Sequence, residues 1–344
     1  MSEAGWREFR LHVGMPCLEP GGLAEEPIIK QLGAFQWQAV AALAGQPENA
    51  VLSEAGERLH ISMISLELGL AAGRAWDEFD EGADLCFRQR TGVYGHKLVE
   101  GLFLFDQEPI PDAELGGIAG RDGLVSGRRL WAYVTHGFIT RTGSTWAKLE
   151  TPRAFLDRPV PELAAMPAGI AEHQAVERTG AIEGFSDWAQ AAALPRDART
   201  DAFAYAVAPE TDLNAAGVVY CARLPAIMAG AERQLLRERL LLPLSEPLAA
   251  CLSPQHRRIY YFANARCETS LRLRVEARFC PAAAAVPAQV RTLGRFLFRT
   301  DVLRASDSVL MASSLVEKTL RVPGQSKPLL TEWARWLAHM LGRG

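Results

Sequence analysis

A chain of 344 residues has room for two domains of ordinary size. Its composition, 49% apolar and 22% charged, is close to that of an average globular protein and argues against disorder and fibrous repeats. Against 40 acidic side chains stand 37 basic ones, a net charge of −3 with no Lys/Arg-rich run, which excludes the electrostatic footprint of a nucleic-acid binder.

No apolar run reaches the roughly 18 residues that a spanning helix needs, so no membrane partner is expected. The opening "MSEAGWREFR" carries acids and no apolar core, unlike a secretory signal, and the expected location is cytoplasmic. Cys17, Cys86, Cys221, Cys251, Cys267 and Cys280 are scattered without a C-x-x-C pair, and they read as small, buried, reduced thiols.

In chain order, "WREFRLHV" reads as an opening strand, and "PGGLAEEPIIKQLGAFQWQAVAAL" as a loop of small residues running into a helix. "ERLHISMISLEL" (57–68) reads as a strand. "GGIAGRDG" (116–123) follows no strand and precedes no clear helix, so it is a loop and not a phosphate cradle. "RRLWAYVTHGFITR" is a further strand. Residues 152–200 hold Pro152, Pro159, Pro161, Pro167 and Pro195 among many alanines and read as a linker. A short helix is expected there near "FSDWAQAAAL", capped by Ser186 or Asp187.

The second half repeats this order. "FAYAV" stands for the opening strand, and "NAAGVVYCARLPAIMAGAERQLL" for the loop and helix. Either Gly22 aligns on Gly217 or Pro27 on Pro225. "RRIYYFANARCE" stands for the strand at 57–68, which sets Tyr260 beside His60, and "SDSVLMASSLVEKT" stands for "RRLWAYVTHGFITR". Residues 271–279, "LRLRVEARF", alternate without a fault between an apolar and a charged face. The expected organisation is a domain at 1–151, the linker at 152–200, a second domain at 201–323 and a C-terminal segment at 324–344 with a helix led by Thr331.

A strand, a loop, a long helix and then antiparallel strands make an α+β layer in which a curled sheet buries the helix, twice over. "TDLNAAGVVY" followed by a helix carrying Ala231 and Glu232 resembles the hot-dog thioesterase motif, so the predicted fold is a tandem hot-dog. "GMPCLEPGGLAEE", "DLNAAGVVYCARLP" and "RRIYYFANA" together resemble the LnmK-type double hot-dog proteins of polyketide biosynthesis, from about residue 10 to 320. The resemblance implies an acyltransferase and decarboxylase that acts on acyl-CoA and loads an acyl carrier protein. It also implies a site tyrosine on the strand after the first helix, where this sequence has His60.

Small residues at Gly21, Gly22, Ala216 and Gly217, with Val218, would let a thioester arm approach the backbone, and the start of the following helix would hold a carbonyl oxygen. Asn214 is the candidate donor to that oxygen, and His60, sharing a strand face with Ser62, the candidate general base. These two are the catalytic candidates, expected at the end of a tunnel between the two helices. Gly21, Gly22, Ser62, Asp212, Ala216, Gly217 and Val218 are the substrate-binding ones. Asp212 and Asn214 read equally as helix-capping and turn residues. His136 reads as a structural or pocket-facing histidine, and His96 carries less signal.

The seven histidines show no paired ligand spacing, so no metal is expected, and no cofactor beyond the CoA or phosphopantetheine that the substrate brings. Hydrolysis, dehydration, or acyl and carrier-protein binding without chemistry are the alternatives to acyl transfer. A monomer and a homodimer both fit.

Overall fold

The computed structural model describes the chain except residues 1–4, 20–21, 72–73, 128, 143–144, 181, 183–184, 186–187, 189–190, 195–199, 215–216, 241–242, 267–268, 282–289, 324 and 341–344. The elements run β1 (Arg7–His12), β2 (Leu18–Glu19), β3 (Gly22–Leu23), α1 (Glu25–Ala44), β4 (His60–Gly69), β5 (Asp84–Tyr94), β6 (Leu98–Asp106), α2 (Asp112–Leu115), α3 (Arg121–Val125), β7 (Leu130–Thr142), β8 (Thr145–Leu149), α4 (Ala154–Asp157) and α5 (Ala168–Thr179). They continue with β9 (Ala192–Ala193), β10 (Thr200–Ala206), α6 (Pro209–Asp212), α7 (Leu224–Glu238), α8 (Glu246–Ala249), β11 (Leu252–Tyr261), β12 (Ser270–Pro281), β13 (Val290–Arg304), β14 (Leu310–Pro323) and α9 (Lys327–Met340).

The contacts divide the chain into two units. Unit 1 comprises Met1–Cys17, Pro27–Arg74 and Phe79–Gly180, and unit 2 comprises Leu18–Glu26, Ala75–Glu78 and Ala181–Gly344. Residues 152–180, read above as linker, therefore belong to unit 1. They fold because α5 docks on β4 and β7 and ends on a left-handed Gly180. Of the helix expected near Ser186 and Asp187, residues 186–187 and 189–190 lie outside the described residues, and Ala192–Ala193 pair as a strand with β12 instead, held in the ladder by Phe279 and Arg278.

In unit 1 the antiparallel strand order is β1-β5-β6-β7-β4, with β8 on β7. In unit 2 it is β10-β12-β13-β14-β11, with β9 on β12. Strand for strand, the two orders are the same. In β12, Leu271, Leu273, Val275, Ala277 and Phe279 are all buried, as the alternation predicts. The closing helix α9 lays Trp333 and Trp336, stacked with centroids 4.9 Å apart, against Phe279 and Phe296 of unit 2. It begins four residues before Thr331, whose hydroxyl donates back to the Lys327 carbonyl inside the helix and caps nothing.

Helix α1 buries Ile28, Leu32, Phe35, Gln36, Ala39 and Val40; α7 buries Leu224, Met228, Ala231, Glu232, Leu235 and Leu236 at identical spacing. Gln36 thus corresponds to Glu232, one residue away from the glycine-on-glycine alignment and two from the proline-on-proline one. A bulge fixes the strands. It falls between Met63 and Ser65 in β4, opposite His136 and Thr135, and between Pro254 and His256 in β11, opposite Lys318 and Glu317. His60 therefore does not correspond to Tyr260. His60 opens β4, whereas Tyr260 nearly closes β11; the corresponding positions are Cys251 for His60 and Gly69 for Tyr260.

Candidate active site

Within unit 2, residues 212–214 pair with 218–220 as the two arms of a hairpin in front of α7. Leu213 bridges Val219, the Asn214 N–H donates to the Val218 carbonyl at 2.9 Å, and the Tyr220 N–H to that of Asp212 at 2.8 Å. The turn closes with the Gly217 N–H on the Asn214 carbonyl, and Gly217 has φ +72, which an L side chain rarely adopts. Val218 bridges Arg266 on the other side. The segment around Val218 is thus extended, and α7 begins only at Leu224, after a short 3-10 turn at Cys221–Arg223. Sequence reading runs the helix too early because the apolar spacing of Val218 and Val219 continues that of α7; the hairpin's backbone pairing overrides it.

That displacement changes what the helix start offers. The Arg223 N–H is spent on the Tyr220 carbonyl, the Leu224 N–H on that of Cys221, and Pro225 has none. The beginning of α7 is accordingly a poorer oxyanion site than its sequence suggests, and weight passes to the hairpin.

Asp212 is fully buried, and its carboxylate is saturated. One oxygen accepts from the Tyr205 hydroxyl and the Ala208 N–H, both at 2.8 Å; the other accepts from Arg223 Nε at 3.0 Å and the Thr211 hydroxyl at 3.3 Å. With four donors on about four lone-pair sites it has none left for a ligand, so its role is to anchor the hairpin. Burial pushes this carboxyl up, but the bonds from Ala208, Tyr205 and Arg223 outweigh it and hold the group below the ordinary range. Its contribution to stability is complete above the unfolded pKa and is lost as pH falls through the depressed folded value. Acid titration of unfolding should therefore show a loss of stability below about pH 4 that is smaller in Asp212→Asn; identical acid limbs would refute the anchoring role.

Arg223 reaches both ways, since its Nη1 also donates to Glu26, on the first turn of α1, at 2.7 Å. Asp212, Arg223 and Glu26, all within unit 2, form a clasp at the base of the hairpin that carries the half-buried Asn214. Asn214 Oδ1 accepts from the Val218 N–H at 3.4 Å, and the side chain's donors are the two Nδ2 hydrogens. Close by in the chain, burial pushes the Tyr220 hydroxyl and the Cys221 thiol each up to about 12, so neither is a ready anion near neutral pH.

Deeper in unit 2, Arg257 is fully buried and forks onto Glu25, Nε to Oε1 at 2.8 Å and Nη2 to Oε2 at 2.9 Å, while Nη1 donates to Ser314 at 3.1 Å. Lys318 Nζ lies 2.7 Å from Glu232, which also accepts from Thr300 at 3.2 Å. Sequence reading names Glu232 only as part of a motif and misses Arg223, Arg257 and their glutamates, because the partners lie far away in the chain and no local spacing marks them.

Of the remaining candidates, Gly22 lies in the β2–β3 hairpin with φ +104, and a Cβ there would collide with the Trp76 carbonyl and the Asp77 nitrogen. Its bare Cα thus accommodates the chain's own backbone and not a thioester arm. Gly22→Ala should lower the melting temperature by several degrees, more than an exposed Gly→Ala change, in differential scanning calorimetry. Gly21 and Ala216 lie outside the described residues. His60 and Ser62 belong to unit 1, half-buried and on the strand face opposite Leu59 and Ile61, which join the core of Val40, Ala41 and Phe138. Asn214 belongs to unit 2.

No protein-family model matches the sequence, and no curated protein matches it either. Solved structures do. An acyl-ACP thioesterase from Bacteroides thetaiotaomicron is similar over 92% of this chain and 98% of its own, with 10% identity and a TM-score of 0.52. A candidate oleoyl thioesterase from Lactobacillus plantarum is similar over 93% and 98%, with 10% identity and a TM-score of 0.55. The fold is a double hot-dog. At such identity the likeness carries the fold and no residue assignments.

Proposed function

We propose that this protein processes acyl thioesters carried on CoA or on an acyl carrier protein. The observation that carries the reading is the two-unit hot-dog fold, shared along nearly its whole length with an acyl-ACP thioesterase. Asn214, on the unit 2 hairpin anchored by the Asp212–Arg223–Glu26 clasp, is the candidate donor to a thioester oxygen there, and His60 is the candidate general base of unit 1. In its finer form the reaction is acyl transfer to a carrier protein, with or without decarboxylation, as in polyketide assembly; hydrolysis is the simpler outcome of the same activation. A binding module without chemistry is the second reading. It is favoured by one observation, that the acid and the thiol nearest Asn214 in the chain are a saturated carboxylate and a protonated sulfur.

The test is incubation with malonyl-, methylmalonyl- and plain acyl-CoA, with and without a phosphopantetheinylated carrier, followed by intact mass, free CoA and CO2. Loss of CoA thioester with carrier loading supports transfer, and loss without loading supports hydrolysis. Thioesters that bind and return intact favour the module. His60→Ala should lower turnover by about 10²- to 10⁴-fold with the fold retained, and activity within twofold of the parent would remove His60 from the reaction.

A further inference from the structure

A cluster of buried polar side chains lies among apolar ones in the layer between α1 and the sheet of unit 1. Gln36 of α1 and Gln89 of β5 are fully buried, Thr91 is buried, and His136 of β7 is 2% exposed. Gln89 Nε2 donates to Gln36 Oε1 at 2.8 Å and to the Thr91 hydroxyl at 3.1 Å. Gln36 fills the space beside Gly101, which lies opposite Thr91 on one side and Val134 on the other. His136 is two residues along β7 from Val134, on the same face, opposite Val99 and Met63.

Three atoms of this cluster have no hydrogen-bond partner among the described residues: Gln36 Nε2, Gln89 Oε1 and His136 Nδ1. Turning both amides end for end exchanges the open atoms but still leaves one donor and one acceptor. Unit 2 treats the corresponding positions differently. Glu232 stands for Gln36 and Lys318 for His136, and these two pair with each other at 2.7 Å. Unit 1 therefore keeps uncharged open polar atoms where unit 2 has an ion pair.

We propose that the core of unit 1 recognises a neutral oxygen substituent, a hydroxyl or a ketone, on the acyl chain of the substrate, through Gln36, Gln89 and His136. The proposal deepens the acyl-thioester reading and rests on it. A hydroxyl both donates and accepts, which matches an open amide nitrogen beside an open carbonyl; a ketone uses the donor alone. Burial without a partner drives His136 down to about 3, so the imidazole is neutral, and the cluster itself contains no cation. A carboxylate at these three side chains would lack a counter-charge, so the cluster favours a neutral oxygen over a charged one.

The test is calorimetric titration of the full-length protein with octanoyl-, 3-hydroxyoctanoyl-, 3-oxooctanoyl- and 8-hydroxyoctanoyl-CoA. At least one oxygenated chain should bind about tenfold more tightly than octanoyl-CoA, and Gln36→Leu/Gln89→Leu and His136→Phe should each erase that preference while octanoyl-CoA binds as before. Equal binding of all four overturns this inference and leaves the acyl-thioester reading in place. Binding of none overturns both. Should the leucine or phenylalanine variants fail to fold, a complex structure decides: a chain oxygen within hydrogen-bond distance of Gln36, Gln89 or His136 supports the proposal, and a water alone on those atoms refutes it.

Discussion

Arg257→Ala will destabilise unit 2 by about 3–5 kcal/mol, read as a lowered urea midpoint at unchanged slope. The guanidinium has no exposed surface and satisfies both oxygens of Glu25 at once, so deleting it strands a nearly buried carboxylate in a medium that solvates it poorly. Arg257→Lys should recover only part of the loss, because an ammonium cannot make the two parallel bonds. The double change Glu25→Leu/Arg257→Met, which removes both charges, should recover most of it, since a buried pair repays little beyond its own desolvation. A single variant within 1 kcal/mol of the parent would mean that Glu25 finds another partner.

Asn214→Ala will lower kcat by about 10²- to 10³-fold on whichever thioester the protein turns over, with KM nearly unchanged. A donor aimed at an oxygen that gains charge only in the transition state contributes to kcat and little to ground-state binding. Arg223→Ala should follow with a smaller loss. It unties Asp212 from Glu26 but leaves the bonds of Asp212 to Tyr205 and Ala208 and the backbone pairing of Leu213 with Val219. A loss confined to KM would instead make Asn214 a binding residue.

The tandem fold is legible in the sequence because its signals are local: alternation in β12, helical stripes in α1 and α7, and their recurrence in the same order. Registers are not, because a strand's pattern repeats every second residue and tolerates sliding along a second strand. That is how Tyr260 comes to stand beside His60 on paper, while the shared bulge puts Cys251 there. Asp212 shows a different limit. An acid before a helix offers capping and catalysis alike, and only its four donors decide. The glutamates at the start of α1 look like ordinary first-turn acids favoured by the helix dipole, and nothing nearby in the chain announces their arginines.

The pairing of Glu25 with Arg257 joins residues 232 positions apart. On a ribosome adding about 5–20 residues per second, the glutamate waits roughly 10–50 s for its arginine to be made. For that interval the first turn of α1 carries an acid whose buried partner does not yet exist, so the core around Glu25 cannot close before β11 is made. The C-terminal half of the chain thus times the completion of a fold that begins at its other end.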